Sequence, residues 1–155
     1  MTDQTEIRAK IVAEARSWLG TPYHHLADVK RAGVDCGMLL VRVFVDLGLV
    51  SPFDPRPYTQ DWMLHRSEER YLGLLLDRAR PVDAPSPGDI ALFKVGRCYS
   101  HGAIVSKVQP LTLVHAVIGF GKVVEEVAST NPQIVERLPT ARFASVVGGH
   151  VNGAA

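Results

Sequence analysis

The spacing of apolar residues changes about halfway along the chain, from a helical pattern to a pattern typical of strands. Near the start, apolar residues recur every three or four positions, which predicts a helix over about 5–19. Asp3 and Glu6 form a capping-box pattern before this helix, and Gly20 and Pro22 would end it. The periodic apolar positions are Ile7, Ile11, Val12, Ala15 and Leu19.

A second helix is predicted from Asp35 or Cys36 to about Leu47. Asp35 suits an N-cap and Gly48 suits a helix end. The segment between them is apolar on most sides, which is typical of a central, buried helix. Its β-branched residues would also suit a strand, but its length favours a helix.

The rest of the chain predicts an α+β fold. Residues 51–57 are a proline-rich linker, 59–78 predict one or two further helices, and 80–88 are rich in residues that break regular structure. Short β-branched segments then alternate with turns, over 89–95, 102–108, 111–117, 123–127 and 145–151. Helices followed by strands predict a single domain over 1–155, in which N-terminal helices pack on a central antiparallel sheet.

Composition narrows the classes of function. Charged residues make up 21% of the chain and the formal net charge is +1, so nothing favours capture of nucleic acid or of an anionic membrane surface. No apolar stretch approaches the length of a membrane span, and the N-terminus has no apolar signal core. We therefore expect a chain made in the cytoplasm without a signal peptide, with no nucleic-acid partner and no membrane insertion.

Three residues could form a nucleophilic site. Cys36 lies at the predicted start of the second helix, where unpaired N–H groups and the helix dipole favour a thiolate. His101 and His115 lie on successive predicted strands joined by a turn at Gln109 and Pro110. Pairing of these strands would bring the two imidazoles to one end of the hairpin, so that one could accept the thiol proton and the other could orient the first.

Other interpretations of these residues remain open. A single cysteine at a helix start is more often a small core residue, and a single strand histidine is more often structural. Cys36, Cys98, His101 and His115 could in principle bind zinc, but the closely spaced ligand pairs usual for zinc are missing. Cys98 has no predicted helix start to activate it as a nucleophile. We expect no metal and no cofactor.

Five short motifs together resemble the NlpC/p60 cell-wall peptidases, which are papain-like cysteine peptidases. The resemblance covers roughly residues 15–127 and implies that Cys36 is the nucleophile, His101 the base and His115 the orienting residue. The motifs are Gly20-Thr-Pro-Tyr23, Gly33-Val-Asp-Cys-Gly37, Pro87-Gly-Asp-Ile90, Ser100-His-Gly-Ala-Ile104 and Val114-His-Ala116.

The resemblance also implies roles around the nucleophile. Tyr23 would pack beside Cys36, and the Cys36 N–H would contribute to the oxyanion hole. Asp35 matches the acid that precedes the family cysteine. Gly37 stands where the family usually has serine, which in some members helps bind the free amino end of the substrate, so the resemblance does not fix the exact substrate choice.

The implied activity is hydrolysis of peptidoglycan stem peptides, often at the D-γ-glutamyl-diaminopimelate amide. The compact form resembles the branch associated with phage tails or gene transfer particles, so phage-tail proteins are expected partners and would deliver the enzyme to the cell wall. Two alternatives remain: a non-catalytic tail component with the same fold, and an acyltransferase with the same fold.

Overall fold

The computed structural model of the chain describes residues 3–57 and 77–148. These residues form a six-stranded antiparallel sheet in the order β3-β8-β4-β5-β6-β7, a separate two-stranded hairpin β1-β2, and three helices. The predicted α+β class is confirmed. The helices are α1 (Gln4–Arg16), α2 (Cys36–Asp46) and α3 (Pro132–Arg137), and the strands are β1 (Asp28–Val29), β2 (Gly33–Val34), β3 (Arg80–Val82), β4 (Ile90–Val95), β5 (Cys98–Val108), β6 (Leu111–Val117), β7 (Lys122–Val127) and β8 (Arg142–Ser145).

Helix α1 begins as predicted but ends one turn early. The Asp3 side chain accepts a hydrogen bond from the Thr5 N–H, as expected of an N-cap. The predicted last apolar position, Leu19, lies outside the helix and is 42% exposed. The chain leaves the helix here because the Gly20 N–H donates to the Val123 carbonyl of β7.

Helix α2 forms where the sequence predicts it and is buried along most of its length. It packs with α1 on one face of the sheet, around a core that includes Ile11, Leu39, Phe44 and Ile104. The opposite face has a second, smaller apolar cluster that includes Phe93, Leu113 and Ile134 of α3. The sequence pattern missed α3, because a six-residue helix with one buried apolar side chain has no detectable period.

The strand predictions hold for β4 to β7 and fail at the last strand. The β5–β6 hairpin turns at Gln109 and Pro110 as predicted. The last strand is β8 at 142–145, not 145–151, and residues 149–151 lie outside the described part. Most of the helix predicted over 59–78 also lies outside it, and 77–78 form a turn.

Two short elements form where the sequence predicted none. The hairpin β1-β2 lies between the first two predicted helices, where no element was predicted, and β3, which pairs with β8, lies in the breaker-rich segment. No helix of residues 3–57 and 77–148 is long and apolar enough to cross a membrane. A single domain over 1–155 stays a prediction.

Strands β5 and β6 separate at one end, and this separation creates space in the fold. Their pairing stops at Ile104 and Val114, although β5 extends back to Cys98 and β6 continues to Val117. Strand β5 also bulges at Ser100, since Phe93 of β4 pairs with His101 and the next residue pairs with Tyr99. The gap between the separated strand ends adjoins the N-terminus of α2.

Candidate active site

Helix α2 presents the Cys36 thiol to the bulge in β5. The Asp35 carboxylate caps the helix by accepting from the Met38 N–H at 2.8 Å, and it is 1% exposed. The Cys36 thiol donates to the Ser100 carbonyl, with 3.7 Å between sulfur and oxygen. Ser100 directly precedes His101, the predicted base, on β5.

The electrostatic environment of Cys36 differs from the expectation for a helix start. Burial, together with the negative charge of Asp35, raises the pKa of the Cys36 thiol to about 12. Backbone N–H groups of Gly102, Gly37 and Cys36 itself act in the opposite direction and lower that pKa, but less strongly. The desolvation penalty, which favours the neutral thiol, therefore outweighs the effect of the helix terminus.

Two histidines and a glutamate form a continuous hydrogen-bonded chain. His101 Nε2 lies 2.8 Å from His115 Nδ1, and His115 Nε2 lies 2.7 Å from Glu126 Oε2. The register pairs Leu113 with Glu126, and Leu113 lies two residues from His115 on the same strand. Glu126 therefore lies on the same face of the sheet as His115. The sequence places Glu126 on a strand, but only the register brings it to His115.

The carboxylate at the end of this chain sets the tautomer of both imidazoles. A carboxylate only accepts, so His115 holds its proton on Nε2 and presents the Nδ1 lone pair. His101 must then donate from Nε2 to His115, which leaves its own Nδ1 without a proton. His101 Nδ1 is therefore the free basic atom of the chain.

Both histidines are neutral at neutral pH. Burial is the first cause that lowers the pKa of His101 to about 3, and the charges of His115 and Arg137 add to it, while Glu126 acts in the opposite direction. Burial lowers the pKa of His115 to about 4. The resting site therefore combines a neutral thiol with a neutral imidazole.

Asn131 connects the hydrogen-bonded chain to α3. Its side-chain amide donates to Glu126 Oε2 at 3.2 Å, and its carbonyl oxygen accepts from the Gln133 N–H as the N-cap of the helix. Glu126 Oε2 thus has two donors, which hold the carboxylate in place.

The thiol and both imidazoles line one cavity of about 200 Å³ in the gap between β5 and β6. Tyr23 lines it too, and burial, with the nearby Cys36 and Asp35, raises the pKa of the Tyr23 phenol. The other lining residues are Val95, Ser100, Ala116, Val117, Ile118, Gly119, Asn131, Gln133, Ile134 and Arg137.

Four of the six site residues predicted from the sequence meet in this cavity: Tyr23, Cys36, His101 and His115. Asp35 and Gly37 are not among its lining residues. Asp35 accepts from both the Leu26 and the Met38 N–H groups, and Gly37 is buried in the first turn of α2. Their roles toward substrate stay predictions.

The zinc and Cys98 alternatives find no geometric support in the described part of the chain. Cys98 is buried at the start of β5 and does not line the cavity. Within 3–57 and 77–148, no three His, Cys, Asp or Glu side chains come together in a way that could hold a metal ion.

Comparison with known proteins identifies the fold. No family model and no curated protein matches the sequence. The structure is similar to the NlpC/p60 domain of the peptidoglycan hydrolase SagA, with a TM-score of 0.57 and 21% identity over 89% of this chain and 97% of that one. It is also similar to an N-acetylmuramoyl-L-alanine amidase from Bacteroides uniformis ATCC 8492, with a TM-score of 0.53 and 15% identity over 92% of this chain and 99% of that one. The chain therefore has the fold of the NlpC/p60 domain.

Proposed function

We propose that this protein is a cysteine peptidase that hydrolyses amide bonds in the peptide part of peptidoglycan. The observation that supports this most directly is the hydrogen-bonded chain from His101 through His115 to Glu126, in the same cavity as the Cys36 thiol. A buried thiol in a core needs no such chain. A nucleophile needs a base with a fixed tautomer.

In the first half of the reaction, Cys36 Sγ attacks the carbonyl carbon of the scissile amide while His101 Nδ1 takes the thiol proton. Burial favours the neutral thiol and the neutral imidazole before substrate binds. The Cys36 N–H at the start of α2 stabilises the oxyanion. His101 then passes the proton to the leaving amine, the C–N bond breaks, and a thioester to Cys36 remains.

In the second half, His101 removes a proton from water, which attacks the thioester. The products are a carboxylic acid and the free thiol, which regains its proton from His101. His115 and Glu126 act as positioning residues throughout. The negative charge of Glu126 stabilises the protonated state that His101 reaches transiently.

The substrate class rests on the fold and the motifs together. One structural neighbour is named as a peptidoglycan hydrolase and the other as an N-acetylmuramoyl-L-alanine amidase. The motif resemblance favours the D-γ-glutamyl-diaminopimelate amide of the stem peptide, while the second neighbour acts on a bond nearer the sugar. We take the stem-peptide amide as the bond cleaved.

Mass spectrometry of defined muropeptides tests this function. The wild type should release fragments cut at the D-γ-glutamyl-diaminopimelate amide. Cys36→Ala should lower the rate by about 10⁴-fold or more, and His101→Ala by about 10²- to 10⁴-fold. Cys98→Ala is the matched control, because it removes the other buried thiol and should keep the rate within about twofold.

The same experiment separates the alternatives. Undiminished cleavage by folded Cys36→Ala would exclude the proposed nucleophile. No cleavage by the wild type would favour a non-catalytic component of the same fold. Acyl transfer to an added amine, with no ¹⁸O incorporation from labelled water, would identify a transferase.

We further propose that a phage-like tail delivers the enzyme to the cell wall, where it acts after synthesis in the cytoplasm. The motif resemblance to the compact phage-type branch supports this. Proteomics of purified particles from the producing cell should find the chain at a fixed ratio to tail proteins. Its absence from particles would exclude this route.

A further inference from the structure

Within the described part of the chain, one lining residue of the candidate active-site cavity carries a permanent charge. Cys36, His101 and His115 are neutral at neutral pH, and the described lining residues include no aspartate or glutamate. Glu126 lies behind His115 and does not line the cavity. Arg137, the last residue of α3, is the one permanently charged residue of the described lining.

Among the described residues, Arg137 pairs with no carboxylate, unlike three other partly buried arginines. The partly buried residues Arg8, Arg42 and Arg56 all pair with aspartates. Among residues 3–57 and 77–148, the side chain of Arg137 has a single hydrogen bond, a long one of 3.5 Å to the Gln133 carbonyl. Most of its guanidinium donors therefore remain available to a ligand in the cavity.

Arg137 lines the same cavity as Cys36 and His101. Its positive charge also contributes to the lowered pKa of His101. A guanidinium binds a carboxylate through two parallel hydrogen bonds, which gives both attraction and orientation. A ligand carboxylate bound here would lie close to the scissile amide.

We propose that Arg137 forms a carboxylate-binding subsite that selects peptides with a free carboxylate next to the scissile amide. The inference rests on the proposed function and makes it more specific. A γ-linked glutamyl residue keeps its α-carboxylate free, and diaminopimelate has free carboxylates on the other side of the same bond. Amidation of the selected carboxylate would remove the negative charge that Arg137 binds.

Matched peptides test the subsite. Three stem peptides are compared: one with both carboxylates free, one amidated on the γ-linked glutamate and one amidated on diaminopimelate. For the wild type, kcat/KM should fall about tenfold on amidation at one of the two positions, as expected for loss of a charged hydrogen bond. Arg137→Gln should cleave that amidated peptide as fast as the wild type does. It should cleave the free form no faster than the amidated form.

Arg142→Gln is the matched control. Arg142 is another arginine of this part of the fold, but it stacks over the Tyr99 ring at 4.4 Å from the centroid and does not line the cavity. This variant should keep the wild-type ratio between free and amidated peptides. Loss of the ratio in Arg142→Gln as well would overturn a specific role for Arg137.

A binding measurement separates failure of the subsite from failure of the proposed function. Peptide affinities are measured by calorimetry on Cys36→Ala, alone and combined with Arg137→Gln. Cleavage by the wild type without preference at either position overturns the subsite and leaves the peptidase. If the wild type cleaves no peptide, but Cys36→Ala binds the free form about tenfold more tightly through Arg137, the subsite stands and the peptidase is excluded. Equal affinities for all three peptides overturn the subsite in either case.

Discussion

Glu125 and Glu126 are adjacent on β7 and have different roles. Glu125 forms a salt bridge with Arg16 of α1, with 3.0 Å between nitrogen and oxygen, at a partly exposed position. Glu126 accepts from His115 and Asn131 behind the cavity. Adjacent side chains on a strand point to opposite faces of the sheet. Glu125 therefore forms a surface ion pair, and Glu126, the next residue, lies behind the candidate active site.

Glu126→Gln should reduce kcat while leaving KM nearly unchanged, because Glu126 acts through His115 and does not touch substrate. The glutamine side-chain amide can donate to His115 Nε2, so His115 no longer has to hold its proton on that atom. The catalytic tautomer of both imidazoles is then no longer fixed. We expect a loss of about 10²-fold in kcat. Steady-state kinetics on a defined stem peptide measures the two constants separately.

Glu125→Gln provides the control for that experiment. It makes the same chemical change one residue away, and kcat should stay within about twofold of wild type. A purely structural role for Glu126 would instead lower the melting temperature with kcat intact. That result would remove Glu126 from the proposed mechanism.

At the scale of elements, α2 and α3 place the site, and each begins with a side-chain cap. Asp35 caps α2 and at the same time fixes the preceding loop through the Leu26 N–H. Asn131 caps α3 and also holds Glu126. Both caps are strong local signals in sequence, but their second hydrogen bonds depend on segments that only the fold brings close.

Asp35→Ala should destabilise the protein more than loss of an ordinary cap. The substitution leaves the buried Met38 N–H and the partly buried Leu26 N–H without their acceptor. We expect the free energy of unfolding to fall by about 2–3 kcal/mol, measured by urea denaturation. Asp3→Ala, at the exposed cap of α1, should lower it by about 0.5–1 kcal/mol. Equal effects of the two substitutions would contradict the structural role of the buried carboxylate.

At the scale of the whole molecule, the buried His115 and the half-buried His101 couple stability to pH. The pKa values of His101 and His115, about 3 and about 4, lie below the 6.5 of an exposed histidine. Between pH 6.5 and these values, the unfolded chain binds protons that the folded protein does not. The stabilising contribution is therefore complete above about pH 6.5 and is lost as the pH falls toward 4 and 3.

The free energy of unfolding should consequently fall as the pH is lowered from 7 to 5. We expect about 1–2 kcal/mol for each histidine over this interval. Urea denaturation at several pH values measures the slope, and a His101→Gln, His115→Gln double variant is the reference. The double variant should show a clearly flatter pH dependence, and parallel curves for the two proteins would contradict neutral burial of these imidazoles.

Local sequence patterns specified several elements of the fold and singled out the candidate reactive groups. Apolar periodicity predicted α1, α2 and strands β4 to β7, and motif spacing singled out Cys36, His101 and His115. These patterns missed α3 and misplaced β8, because a short helix and a short strand depend on the residues they pack against more than on their own pattern.

The spatial arrangement of those groups depends on the tertiary structure. Glu126 joins His115 through strand register, and Arg137 enters the cavity through the packing of a helix with no sequence period. The neutral state of Cys36 follows from burial, which a local pattern does not reveal. Distances and desolvation depend on residues far apart in the chain, such as Cys36 and Ser100, 64 positions apart. These properties therefore arise only when the folded chain brings such residues together and excludes water from them.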